Sequence, residues 1–176
     1  MTRSHDDIIK RAKAGDRVAL TELIDKHKHF TYSLALSIVK NSDDAKDIAQ
    51  QSFMKVLESI HTFRNDSKFS TWLYKIILHE ALRFVKQKSR VVYTGINQTP
   101  VEEIVGENPG DENEPANVTQ ALEILQVNEK IVLNLFYLGG KSIKEIQLIT
   151  GFSESNIKVL LHRGRTRLKN KMRNRI

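Results

Sequence analysis

Apolar positions in the first ninety residues recur at three- and four-residue spacings, and capping residues, not β-type alternation, break them up. Residues 6–14 form a short predicted helix that Gly15 ends. Asp16 then caps a longer helix reaching Lys40, with Val18, Leu23, Ile24, Tyr32, Leu34 and Ile38 among its apolar positions. Ser42, Asp43 and Asp44 supply an N-cap and an acidic first turn for a third helix. In that helix Ala49, Phe53, Val56, Leu57 and Ile60 mark one buried face. The stretch RNDSKFS interrupts the pattern, and Ser70 opens a fourth helix striped by Leu73, Ile76, Ile77 and Phe84.

A second helical pattern occupies the C-terminal third. Residues 118–125 and 129–138 read as two helices, the second ending at Gly139-Gly140. Ser142 stands three residues before Glu145, a capping box, and Gly151 closes that third helix. Ser153 then caps the stretch SESNIKVLLHRGRTRLKNKMRNR. Helix, Gly-containing turn and longer basic helix is the order of a helix-turn-helix, with Ile146, Ile149, Phe152, Ile157 and Leu161 placed to pack the pair. The expected fold is all-α, with helical domains at residues 1–90 and 117–176. Residues 91–116 contain all three prolines and no sustained period, and form an expected flexible linker.

Charge sharpens that division. The net charge is +7, but residues 91–116 carry six acids and no Lys or Arg, so the flanking domains are +6 and +7. Two basic bodies on an acidic strap fit a polyanionic partner, because Lys and Arg release counterions from phosphates; ordinary solubilising charge gives the same sums. With Ile157 and Leu161 buried, Ser155, Asn156, Lys158, Val159, His162 and Arg163 would line the outside of the last helix. A recognition helix offers those positions to base edges and flanking phosphates. Arg165, Arg167, Lys169, Lys171, Arg173 and Arg175 would extend the positive field.

The ordered set of motifs resembles a known family. GKSIKEIQLITGFSESNIKVLLHRGRTRLK is similar to the region-four helix-turn-helix of extracytoplasmic-function (ECF) sigma factors. DDAKDIAQQSF and FRNDSKFSTWLYKIILHEAL resemble that family's region two, in the same order along the chain. The resemblance implies a promoter-specificity subunit that binds core RNA polymerase, recognises the −35 and −10 elements and supports DNA opening. It implies −35 contacts by Lys158, His162, Arg163 and Arg165. It implies that Arg64, Asn65, Asp66, Ser67 and Lys68 capture a flipped −10 base, and that Lys75, His79 and Arg83 grip the melted strand. Asp47, Gln50 and Gln51 would meet the clamp helices of the β′ subunit, and the C-terminal domain would meet the β flap. An anti-sigma protein is a further implied partner. Gln51 stands where the family commonly has Glu, His79 where it has Asn, and Arg83 where it has Asp. Val159 and Leu160 replace a small polar residue and an Arg. Leu160 would pack internally, touch a thymine methyl or meet a partner.

Trp72, beside Phe69 and Leu73, reads as core and not as a base-stacking platform. Nothing points to an enzyme. HEALR begins like a zincin motif but lacks its second His, and no phosphate-binding loop or nucleophile elbow occurs. With no cysteine there is no thiolate metal site and no disulfide framework. No cofactor, no metal and no membrane insertion are expected, and the cytoplasm is the expected compartment. Two other readings fit the same composition: a helix-turn-helix regulator with a sensing or dimerising N-terminal body, and a helical adaptor for an acidic protein.

Overall fold

A computed structural model describes residues 5–92 and 124–173, and every regular element among them is helical. The chain divides into two compact units, Met1–Phe84 and Val85–Ile176. The expected linker, residues 91–116, lies outside the described residues except for its first two. The predicted helix at 118–125 also lies outside them, except for a turn at Ile124 and Leu125.

The first unit contains α1 (His5–Lys13), α2 (Arg17–Val39), α3 (Ser42–Ser59) with a 3-10 turn at Ile60–Thr62, and α4 (Phe69–Val92), whose last residues run past the division. Asp16 caps α2 as its sequence predicts, accepting from the amides of Val18 and Ala19. The α1–α2 corner is tied by Arg11, whose Nε donates to Asp16 Oδ2 at 2.8 Å. The cap of α3 is Asn41 rather than Ser42: its Oδ1 accepts from Asp43 and Asp44. Ser42 instead bonds the Tyr32 hydroxyl on α2 at 3.1 Å. Leu23, Leu34, Ile48, Leu73 and Ile77 are the largest fully buried apolar side chains of this unit. Leu57 is exposed, so it does not lie on the buried face its spacing predicts, and Val18, an apolar position of α2, is 66% exposed in the first turn.

Aromatic packing joins α2 to α4. His27 lies 5.6 Å from Phe69, and Phe30 lies 4.4 Å from Tyr74, ring centre to ring centre. Burial pushes the Tyr74 hydroxyl up to about 12, and its oxygen stands 3.4 Å from His27 Nδ1. Lys55 of α3 and Glu80 of α4 form an ion pair across the other side.

The second unit contains α5 (Val127–Leu133), which runs into a π turn at Asn134–Leu138, then α6 (Ile143–Thr150) and α7 (Glu154–Arg173). In the π turn the Gly139 amide reaches Asn134 O at 2.8 Å. The Ser142–Glu145 capping box forms in both directions, and Gly151 closes α6 in the left-handed region at φ 76°. Ser153 caps α7 by accepting from the Asn156 amide at 3.2 Å. Ile157, Leu160, Leu161 and Gly164 form the buried side of α7, which packs on α5 and α6. Leu160 therefore packs internally, which settles the three options its sequence leaves open.

Candidate nucleic-acid interface

The four buried positions on α7 are spaced by three, one and three residues, so they fix which side of the helix faces out. Ser155, Asn156, Lys158, Val159, His162 and Arg163 are all exposed, as the sequence pattern predicts. Their cations are not equally disposed. Lys158 Nζ lies 2.6 Å from Glu154 Oε1, one turn earlier. That hydrogen bond is the main reason the Glu154 carboxyl sits below its usual range, with the Lys158 charge second. Arg163 points outward with no ion pair or hydrogen bond from its side chain among the described residues.

Arg165 and Arg167 have internal partners that the sequence did not reveal. Arg165 Nε donates to the Tyr137 hydroxyl at 2.6 Å, and its guanidinium lies 5.7 and 5.5 Å from the ring centres of Phe136 and Tyr137. Arg167 Nη1 donates to Glu129 Oε2 at 3.1 Å; Glu129 is fully buried, and the same oxygen accepts the Gln126 amide. Arg167 thus anchors α7 to the start of α5 and is not a free part of the positive field.

In the first unit, the loop Arg64–Lys68 hangs between two buried rings. Phe63 and Phe69 meet edge to face at 5.8 Å, and both touch Trp72. Trp72 is half-buried in this cluster and so acts as packing, not as an exposed platform. Lys13 Nζ also holds the loop's root, donating to Phe63 O at 2.7 Å. The cluster pins both ends while Arg64, Asn65, Asp66 and Lys68 stay exposed and Ser67 is half-buried. Asn65 takes a left-handed conformation, φ 62°, which Asn tolerates better than other side-chain-bearing residues.

Beyond the loop, Lys75, His79 and Arg83 recur every four residues on the exposed side of α4. Arg83 lies 4.0 Å from Glu80, whose other oxygen is held by Lys55. On α3, Asp47, Gln50 and Gln51 are exposed together. Met54, 52% exposed and one turn beyond Gln50, continues that face with an apolar side chain. Its i+4 spacing was the available signal. Among the described residues no cluster of three or more His, Cys, Asp or Glu side chains would hold a metal. No helix there is long and apolar enough to cross a membrane.

Two separate helical units, one carrying a helix-turn-helix with a cationic outer face, define a two-module DNA-binding protein. Known proteins make the class specific. Residues 23–91 match the sigma-70 region 2 model, and residues 116–168 match the sigma-70 region 4 model. The chain is 30% identical to the RNA polymerase sigma factor SigV of Bacillus subtilis, over 87% of this chain and 90% of that one. It is 29% identical to the ECF RNA polymerase sigma factor SigW of the same organism, over 94% and 95% of the two chains. In structure it is similar to the sigma factor RpoE of Bartonella quintana, solved in complex with the anti-sigma factor NepR. There the TM-score is 0.68 at 19% identity, over 86% of this chain and 97% of that one, a likeness of fold. The chain belongs to the ECF branch of the sigma-70 family, the promoter-specificity subunits of RNA polymerase.

Proposed function

We propose that this sigma factor divides promoter recognition between its two units, with α7 entering the major groove of the −35 element. Lys158, His162 and Arg163 are its groove-side contacts, with Arg165 at the flank. The observation that carries this reading is the exposed polar and cationic face of α7, opposite Ile157, Leu160, Leu161 and Gly164. A recognition helix needs that geometry: one side locked by packing, the other free to meet base edges.

In the first unit, the loop Arg64–Lys68 captures an extruded −10 base, and Lys75, His79 and Arg83 follow the melted strand. The pinned roots and exposed tip of the loop support this role, because reading a flipped base requires polar groups held in place. Asp47, Gln50 and Gln51 dock on the β′ clamp helices, with Met54 adding apolar contact. The second unit also meets the β flap. An anti-sigma protein is the expected regulatory partner, as NepR is for RpoE. The chain works without cofactor or catalysis of its own, in the cytoplasm where polymerase and promoter meet. We place the functional boundaries at residues 1–90, 91–116 and 117–176, with the acidic segment as tether.

Transcription by purified core polymerase, with and without this chain, tests the assignment on promoters selected from a random pool. The expected result is initiation only when the chain is present. Arg163→Ala should reduce promoter use about tenfold or more, the worth of one bidentate pairing with a base, while leaving core binding intact. A chain that neither binds core nor supports initiation on any selected duplex refutes the proposal.

A further inference from the structure

Lys158, His162, Arg165 and Lys169 stand at i, i+4, i+7 and i+11 on α7, and all four are exposed. They form a straight row of about 16 Å along one flank of the reading face. Arg165, in the middle of the row, is held from outside α7, whereas the Glu154 partner of Lys158 lies on α7 itself. Its Nε is held by the Tyr137 hydroxyl at 2.6 Å, and its guanidinium lies against both rings of the π turn. The side chain is exposed but not loose.

The chemistry left over is that of an anion fork. The Tyr137 oxygen accepts from Nε, so its own proton remains to be donated. The two terminal amino groups of Arg165 make no hydrogen bond among the described residues. The donors left over are therefore the two terminal amino groups of a planar guanidinium already set in orientation and the hydroxyl that holds it. Tyr137 is 57% exposed, so a backbone phosphate has access to its hydroxyl.

We propose that Arg165 and Tyr137 together form a fixed phosphate clamp beside the reading face, with Tyr137 both orienting Arg165 and donating to the phosphate. Phe136 completes the restraint as a second ring. The clamp sets the register of α7 on the duplex and carries no base preference of its own. It rests on the assignment of α7 as the −35 reader.

The test uses the full chain bound to core polymerase and a duplex selected from a random pool, with closed-complex affinity measured across a potassium chloride series. Arg165→Ala should lower the salt slope by about one, as expected when one phosphate is no longer neutralised. Tyr137→Phe should weaken binding about tenfold or more, the size of a hydrogen bond to a charged group, equally on the selected element and on base-substituted versions. Placed in the Arg165→Ala background, Tyr137→Phe should cost less than about twofold, because the clamp is already gone. Arg165→Lys should not restore binding, since a point charge lacks the fork.

Additive losses, rescue by Lys, an unchanged salt slope or a base-dependent loss each overturn the clamp. A lowered unfolding temperature in Tyr137→Phe also overturns it, marking the pair as structural. If wild-type holoenzyme forms no sequence-selective complex, the −35 assignment falls and the clamp with it. Selective binding with additive variants removes the clamp alone.

Discussion

Gly164 of α7 approaches α5 so closely that a Cβ placed on it would lie 2.7 Å from Leu133 Cδ1 and 3.6 Å from Glu129 Cβ. The glycine is there for space, since it sits within a helix where Gly costs about 1 kcal/mol relative to Ala. Its neighbours on either side, Arg163 and Arg165, are the side chains that this approach carries into place. Gly164→Val should destabilise the second unit by about 2–3 kcal/mol through overpacking, read as reduced amide-exchange protection in α5 and α7. Gly164→Ala should cost much less. Leu133 Cδ1 is the far end of a side chain that can turn aside, and the gain in helix propensity offsets part of the strain.

Arg167 and Glu129 should behave as a stability pair, unlike the arginines that flank them. Glu129 is fully buried, and its Oε1 has no hydrogen-bond partner among the described residues. Its charge therefore leans on Arg167 and the Gln126 amide. Arg167→Ala would strand that carboxylate, at a cost of about 2–4 kcal/mol, below the largest values for buried pairs because Arg167 is half-exposed. Glu129→Gln keeps an acceptor for the Gln126 amide and should cost less. Amide exchange at the start of α5 tests both, and Arg163→Ala, which removes no internal contact, is the control that should leave protection unchanged.

These pairs show where the sequence was legible and where it was not. Caps and turns are written locally, so Asp16, the Ser142–Glu145 box, Gly151 and Ser153 were readable from a few adjacent residues. The outer face of α7 was readable because Ile157 and Leu161 fix its phase. Arg165–Tyr137 and Arg167–Glu129 join residues 28 and 38 apart, and no local rule links them. The π turn that brings two rings to Arg165 has no signature in NLFYL, which reads as ordinary helix. Leu57 was misplaced for a related reason: an apolar residue fits a helical spacing whether or not another element covers it. Asn41 was passed over because Ser42 and the two acids after it are equally good capping residues.

The α1–α2 corner should respond to acid in a defined window. The Arg11 guanidinium, followed by the Ala19 amide, holds the Asp16 carboxyl below its usual value of 3.8. A carboxylate lowered in the folded state contributes stability that is full above 3.8 and lost as pH falls through the folded value. Protection of the Val18 and Ala19 amides, taken relative to their intrinsic exchange rates, should therefore fall as pH drops below 3.8 in the wild type. In Asp16→Asn the cap survives, because Asn is a good N-cap, but the titrating group is gone. That variant should lose the local pH dependence, and an unchanged acid step would assign it to another carboxylate.

Asn65 allows the chemistry of the loop to be separated from its shape. Its φ of 62° is left-handed, a conformation that Gly adopts freely and Ala resists by about 1–2 kcal/mol. Asn65→Gly should therefore keep the backbone of Arg64–Lys68 and remove only the side-chain amide, with the unfolding of the first unit shifted by no more than about 0.5 kcal/mol. Asn65→Ala removes the amide and strains the backbone together. If the amide reads an extruded base, both variants should lose promoter opening, followed as permanganate reactivity of unpaired thymines. The Gly variant should lose about tenfold or more despite its native stability. Normal opening by Asn65→Gly with failure by Asn65→Ala would mean that the loop's shape is what matters and that Asn65 makes no base contact. Loss in both, with the Gly variant as stable as wild type, would assign the defect to the missing amide.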